Sequence, residues 1–166
     1  GTYRVLEHVV LYDPEPVQAE QPAEPPPDLG WLLEEVEQAF RTAQGLAVWE
    51  SHGLTDYRFT YWRQASHWAG STWEVTVQDG RIKAVLQYFY SASSRVPEPP
   101  GGGIDWVWAQ TLDALANGVG SMCGPEYVTV TVDTVWGVPA MVECDNPGAF
   151  DEDGRWGIRD LVPLRE

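Results

Sequence analysis

Two alternating runs meet at Asp79-Gly80, and this juncture constrains the chain more than any other feature. Trp73, Val75 and Val77 alternate with polar residues before it; Ile82, Ala84, Leu86, Tyr88 and Tyr90 alternate after it. A period of two places one set of side chains on one face of a strand. Asp-Gly between two such runs predicts a type I′ hairpin, because glycine accepts positive φ without a steric penalty. Tyr57, Phe59 and Tyr61 show the same alternation just upstream. The middle of the chain therefore has to begin an antiparallel sheet.

Around this sheet the pattern changes period. Leu29 to Ser51 is predicted helical, with Asp28 as N-cap and Leu32, Leu33, Val36, Phe40, Ala43, Ala47 and Trp49 along one stripe. Gly45 is read as a kink or division of that helix, and Gly53 as its stop. Ser91 to Gly103, ending in Pro97-Glu98-Pro99-Pro100-Gly101-Gly102-Gly103, reads as a loop. Ile104 to Val119 is a second helix, with Trp108, Leu112 and Leu115 inward. Tyr127 to Asp133 alternates Val128, Val130 and Val132 inward. Val138 to Cys144 is its partner across a turn at Trp136-Gly137, and Trp156 to Val162 is a final short strand.

At the N-terminus, Thr2 to Tyr12 reads as a leading strand. Residues 13–28 carry six prolines and no aromatic, which suits an extended spacer. The expected organisation is a strand over 1–12, a proline-rich linker over 13–28 and a single α+β domain over 29–166. Its antiparallel sheet packs against two helices, as in small cystatin-like or PepSY-like modules by analogy.

Composition narrows the classes of function. Ten basic residues against 25 acidic ones give a net charge of -15, which repels phosphate backbones and anionic lipid heads. Nucleic acid and membrane surfaces are disfavoured as partners on this ground, and neither is expected. No run of about 18 apolar residues exists to span a bilayer. Gly1-Thr2-Tyr3-Arg4 has no signal-peptide features, which leaves room for a mature or trimmed form. The thiols are Cys123 and Cys144 alone. A disulfide between them would stabilise by about 3 kcal/mol in the chain-entropy account; two free thiols are the alternative. No Cys-x-x-Cys and no histidine at metal spacing marks a zinc site.

Several segments in order resemble a known domain. They are Trp49 with Asp56-Tyr57-Arg58-Phe59, then Val75-Thr76-Val77-Gln78-Asp79-Gly80-Arg81-Ile82, then Ile104-Asp105 opening the second helix. Val132-Asp133 with Trp136-Gly137-Val138-Pro139 follows, and Asp151-Glu152-Asp153 before Ile158-Arg159-Asp160-Leu161 completes the set. Over Trp49 to Pro163 the chain resembles a bacterial domain family of unknown function, number 6174, found mostly in exported proteins and lipoproteins. It departs from that pattern at Val132 and Trp136, where tyrosines look usual, and lacks paired cysteines in the first strands. The resemblance implies an extracytoplasmic location and carries no established chemistry.

Catalytic constellations are hard to find. His8, His52 and His67 are scattered, and no nucleophile elbow or phosphate loop follows a strand. Two surfaces stand out instead. Asp145, Asn146, Asp151 and Asp153 offer oxygens of the kind calcium takes, although their spacing is not that of an EF-hand; the plainer reading is an exposed turn. Arg58, Trp62, Trp68 and Trp106 form the second set. If Tyr57, Phe59 and Tyr61 are buried, then Arg58, Thr60 and Trp62 face away, where aromatics beside Arg and Gln suit sugar or peptide contacts. The alternative is that the leading strand or a helix covers them. The expected function is a non-enzymatic binding or interaction module of a bacterial cell envelope, for a protein, small-molecule or glycan partner. A hydrolase-like enzyme with an unmarked site and a calcium-stabilised structural domain are the alternatives.

Overall fold

Residues 30–66, 69–90, 100–120, 123–148 and 154–164 are described by a computed structural model. In chain order they form helix α1 (Gly30–His52), strands β1 (Tyr57–Ser66), β2 (Ala69–Gln78) and β3 (Arg81–Tyr90), helix α2 (Ile104–Asn117), and strands β4 (Val128–Val132), β5 (Pro139–Cys144) and β6 (Arg155–Pro163). The six strands make one sheet in the order β3-β2-β1-β6-β5-β4, antiparallel at every junction. The expected α+β class is what is found. The leading strand and the proline-rich linker lie outside the described residues, as does most of the loop after Tyr90.

The hairpin at Asp79-Gly80 forms as its sequence predicts, with φ of 49° and 68° at the two central residues. Tyr57, Phe59 and Tyr61 of β1 and Trp73, Val75 and Val77 of β2 point to one face and are essentially buried. On that face lies α2, contributing Ile104, Val107, Trp108, Thr111 and Ala114 to the core. Tryptophan supplies much of this interior: Trp49, Trp73, Trp108 and Trp156 are all buried.

The polar tips of the aromatic rings fix where the helices sit. The first amide of α2 has no local side-chain cap; Ile104 N–H donates instead to Tyr57 Oη at 3.1 Å. Trp49 Nε1–H donates to Asp105 Oδ1 at 2.6 Å, and Trp49 meets Tyr57 edge-on with centroids 5.3 Å apart. Trp108 Nε1–H donates to the Gly137 carbonyl at 3.1 Å. Gly137 belongs to the β4–β5 turn, where Asp133 Oδ1 accepts the amides of Val135 and Trp136. Gly137 has φ of 65°, and a Cβ there would collide with the backbone of α1 at Gly45 and Trp49.

Four sequence expectations are corrected. Gly45 neither kinks nor divides α1; it is buried inside a continuous helix, and a Cβ on it would strike the Val132 side chain. The apolar stripe of α1 is buried only towards its C-terminal end: Leu33 is 69% and Phe40 67% exposed, while Thr42, Gly45 and Trp49 are buried. Leu112 of α2, expected inward, is 43% exposed. In β3 the alternation changes phase. Lys83 is an extra residue between the pairs Ile82–Val77 and Ala84–Thr76, so Ile82 faces inward and Ala84 and Leu86 outward.

Cys123 and Cys144 stand at disulfide distance, their Cα atoms 6.3 Å apart, and tie the segment after α2 to the end of β5. Among the described residues no helix is long and apolar enough to cross a membrane.

Trp49→Ala is expected to lower unfolding free energy by about 3–5 kcal/mol, and Phe40→Ala by less than about 0.5 kcal/mol, both read by urea denaturation. Equal losses would contradict the half-engaged α1. Alkali gives a second check. Burial pushes the Tyr61 phenol up from 10.0 to about 12. The native state therefore retains a proton that the unfolded chain has released, and stability is full below pH 10 and falls between about pH 10 and about pH 12. Tyr61→Phe should remove about 2–3 kcal/mol of that decline, measured by urea midpoints across the range.

Candidate ligand-binding face of the sheet

Both described helices pack on the same side, and the other face of the sheet carries no helix among the described residues. β1 turns Arg58, Thr60, Trp62 and Gln64 to it, as the burial of Tyr57, Phe59 and Tyr61 requires. Register places the neighbours. Across β1–β6, Thr60 pairs with Arg159, Trp62 with Gly157 and Gln64 with Arg155; across β1–β2, Trp62 pairs with Thr72 and Thr60 with Glu74. Arg155, Gly157 and Arg159 thus form an alternating row beside Thr60, Trp62 and Gln64.

Gly157 is the centre of this surface. It is buried although it occupies an outward position. A Cβ there would lie 3.0 Å from Trp62 Nε1 and would collide with the Ala140 carbonyl of β5. The absence of a side chain leaves room for the half-buried Trp62 indole, whose Nε1 approaches Gly157 on β6.

The electrostatics of this face differ from those of the chain as a whole. Six of the 10 Lys and Arg residues, Arg58, Arg63, Arg81, Lys83, Arg155 and Arg159, lie on β1, β3 and β6. Arg58, Arg81, Arg155 and Arg159 occupy outward positions, against the carboxylates of Glu74, Glu143 and Asp160. Arg155 pairs with Glu143 at 2.7 Å, a direct cross-strand neighbour. Arg58 approaches Glu74 at 3.8 Å, and Arg159 approaches Asp160, its neighbour in the β6 bulge, at 3.8 Å. These last two contacts are long and solvent-exposed, worth about 0–1 kcal/mol each. Arg58 and Arg159 therefore keep most of their hydrogen-bonding capacity, on either side of Thr60.

The structure divides the residues singled out from sequence. Arg58 and Trp62 share the open face. Trp106 does not join them: it sits on α2, across the sheet, edge-on to the buried Tyr61 with centroids 6.0 Å apart. Trp68 lies outside the described residues, as do His8, His67, Asp151 and Asp153. Asp145 is exposed, and Asn146 Oδ1 accepts the Gly148 amide at 2.9 Å, an Asx turn of the kind expected where Asn precedes Pro-Gly. His52 at the end of α1 meets the Val135 carbonyl through Nε2 at 3.1 Å and packs on Trp136. Sequence reasoning missed Gly157, Arg155 and Arg159; their one sequence mark is the alternation of Arg155-Trp156-Gly157-Ile158-Arg159.

A family model of unknown function, DUF6174, matches residues 41–163, more than half of the chain. The chain belongs to the DUF6174 family. The match begins where α1 begins to be buried, at Thr42, and ends with β6. The DUF6174 unit of this chain is therefore the sheet with α2 and the engaged end of α1. Comparison with curated proteins and with solved structures finds no match.

Gly157→Ala is expected to destabilise the fold by about 1–3 kcal/mol, because the new methyl meets backbone rather than a movable side-chain tip. Thermal melts of this variant beside Gly148→Ala, whose Cβ would meet only Asn146 Oδ1 at 3.4 Å, would separate close packing from a general loss of glycine.

Proposed function

We propose that this DUF6174 protein is a non-enzymatic, extracytoplasmic binding module whose open sheet face takes a glycan chain bearing acidic groups. The observation that carries this reading is Trp62 packed against Gly157, with Arg58, Arg155 and Arg159 around it. A flat indole suits the CH face of a sugar ring. Threonine and glutamine hydroxyls and amides at Thr60, Thr72, Thr76 and Gln64 suit its hydroxyl groups, and the less engaged guanidiniums of Arg58 and Arg159 suit carboxylates along the chain. The distant acidic residues do not veto an acidic ligand. At physiological ionic strength charges are screened beyond about 8 Å, so the local excess of arginine governs the contact. A disulfide-distance cysteine pair supports the location, since such bonds persist in oxidising compartments.

Calorimetric titration with an oligogalacturonate, and with a maltooligosaccharide of equal length as the neutral counterpart, tests this. The acidic chain should bind, more weakly as sodium chloride is raised, and Trp62→Ala and Arg159→Ala should each weaken it by about tenfold. Equal affinity for the neutral chain, or undiminished binding by Trp62→Ala, would sink the proposal.

A further inference from the structure

Among the described residues the sheet ends in two edge strands, β3 and β4, and they are not alike. β3 is guarded: Lys83 stands within it and its pairing with β2 shifts register twice, devices that keep an edge from pairing further. β4, reading Val128-Thr129-Val130-Thr131-Val132, carries no charge and pairs with β5 without a shift from Val128 to Thr131. The Tyr127 carbonyl accepts the Asp145 amide at 3.1 Å, and Asp133 N–H donates to the Val138 carbonyl at 2.9 Å. Alternation along an antiparallel strand then gives Thr129 and Thr131 to β5, and turns N–H and C=O of Val128, Val130 and Val132 to the outer edge. As that direction requires, Gln38 Nε2–H of α1 donates to the Val128 carbonyl at 3.0 Å. The edge-facing backbone groups of Val130 and Val132 meet no partner among the described residues.

Beside this edge runs a groove of about 410 Å³, with Arg41, Gln44 and Val48 of α1 on one wall and Val130 and Val132 on the other. Free main-chain donors and acceptors next to such a trough suit an extended segment. The edge takes its backbone, and the trough takes alternate side chains.

The chain itself holds such a segment. Thr2 to Tyr12 places Tyr3, Val5, Val9 and Leu11 in one alternating set. The one charge in that set, Glu7, is opposite in sign to Arg41 on the groove wall. The segment lies outside the described residues and is joined to α1 by residues 13–28. α1 begins at Gly30, and Trp31 lines a second groove with Val128 and Thr129, so the tether enters beside the start of β4. At about 3.1 Å per residue in extended form, residues 13–28 reach about 50 Å, against about 17 Å for the length of β4. Tethering makes the encounter intramolecular, whereas a second copy with the same net charge of -15 is repelled.

We infer that residues 2–12 add to β4 as a further strand of the sheet, hydrogen-bonded to Val130 and Val132, with Tyr3, Val5, Val9 and Leu11 turned into the groove beside α1. This inference concerns the edge of the sheet and does not rest on the open-face reading.

Amide hydrogen exchange of the full chain, read residue by residue by NMR, tests it. Val130 and Val132 should exchange at least about tenfold more slowly than the same amides in an unstructured peptide. The double variant Leu6→Pro with Val9→Pro removes one donor of each parity, so a ladder bond is lost in either register. It should return Val130 and Val132 to the unprotected rate while Thr129, bonded to β5, keeps its protection. Unprotected exchange at Val130 and Val132 in the unaltered protein overturns the inference, and so does protection that the double variant leaves intact. Protection that rises with protein concentration, alongside a dimer in sedimentation, puts a second copy on the edge and overturns the same-chain assignment.

Discussion

The structure hangs on the polar tips of three buried aromatic residues. Apolar burial drives helices onto a sheet but has no direction; Tyr57, Trp49 and Trp108 supply the direction. Tyr57 caps the first amide of α2, Trp49 holds Asp105 from α1, and Trp108 holds the Gly137 carbonyl in the β4–β5 turn. Two helices and a turn remote in sequence are thereby fixed relative to β1. Each bond is buried or partly buried, so loss of either partner leaves a desolvated group behind, at about 1–3 kcal/mol. Gly137 matters to this arrangement because any side chain there would push the turn off α1.

From that clasp follows the one-sidedness of the fold. With α1 and α2 gathered over the same face, the outward residues of six strands have no helix above them among the described residues. An open antiparallel face is ordinarily solvated and polar, and this one is; Trp62, the Gly157 packed against it and the local excess of arginine set it apart from a merely solvated surface. The helix-facing side is also incompletely filled. Where α2 ends at Asn117, the aromatic interior gives way to Arg63 and to Trp156, whose indole N–H has no partner among the described residues. Val119 bridges to Cys123, and Cys123 is tied to Cys144 at the end of β5.

The part of the binding face that sequence made legible was β1. A period of two assigns Arg58 and Trp62 to the side opposite Tyr57, Phe59 and Tyr61, and strand geometry enforces that assignment whatever the rest of the chain does. Gly157, Arg155 and Arg159 were not legible, because their role comes from the β1–β6 register between segments far apart in the chain. Trp106 shows the converse. The sequence reading grouped it with Arg58 and Trp62, but helix phase and the side on which α2 docks put it against Tyr61 instead.

By itself the sequence determined the local elements: the Asp79-Gly80 hairpin, the alternating strands, the two helices to within about two residues at most ends, and the antiparallel α+β class. These follow from steric rules acting over a few residues, which no distant contact overrides here. Tertiary structure decided which apolar residues are buried. The stripe of α1 is continuous in sequence, but only its last turns meet β4 and β5's turn, so Leu33 and Phe40 stay exposed while Gly45 and Trp49 are enclosed. It also decided the phase of β3, through a bulge at Lys83 that pairing with β2 alone reveals, and it left the Trp156 indole without an acceptor among the described residues. Periodicity says which residues share a face; only the packing of other elements says what covers that face.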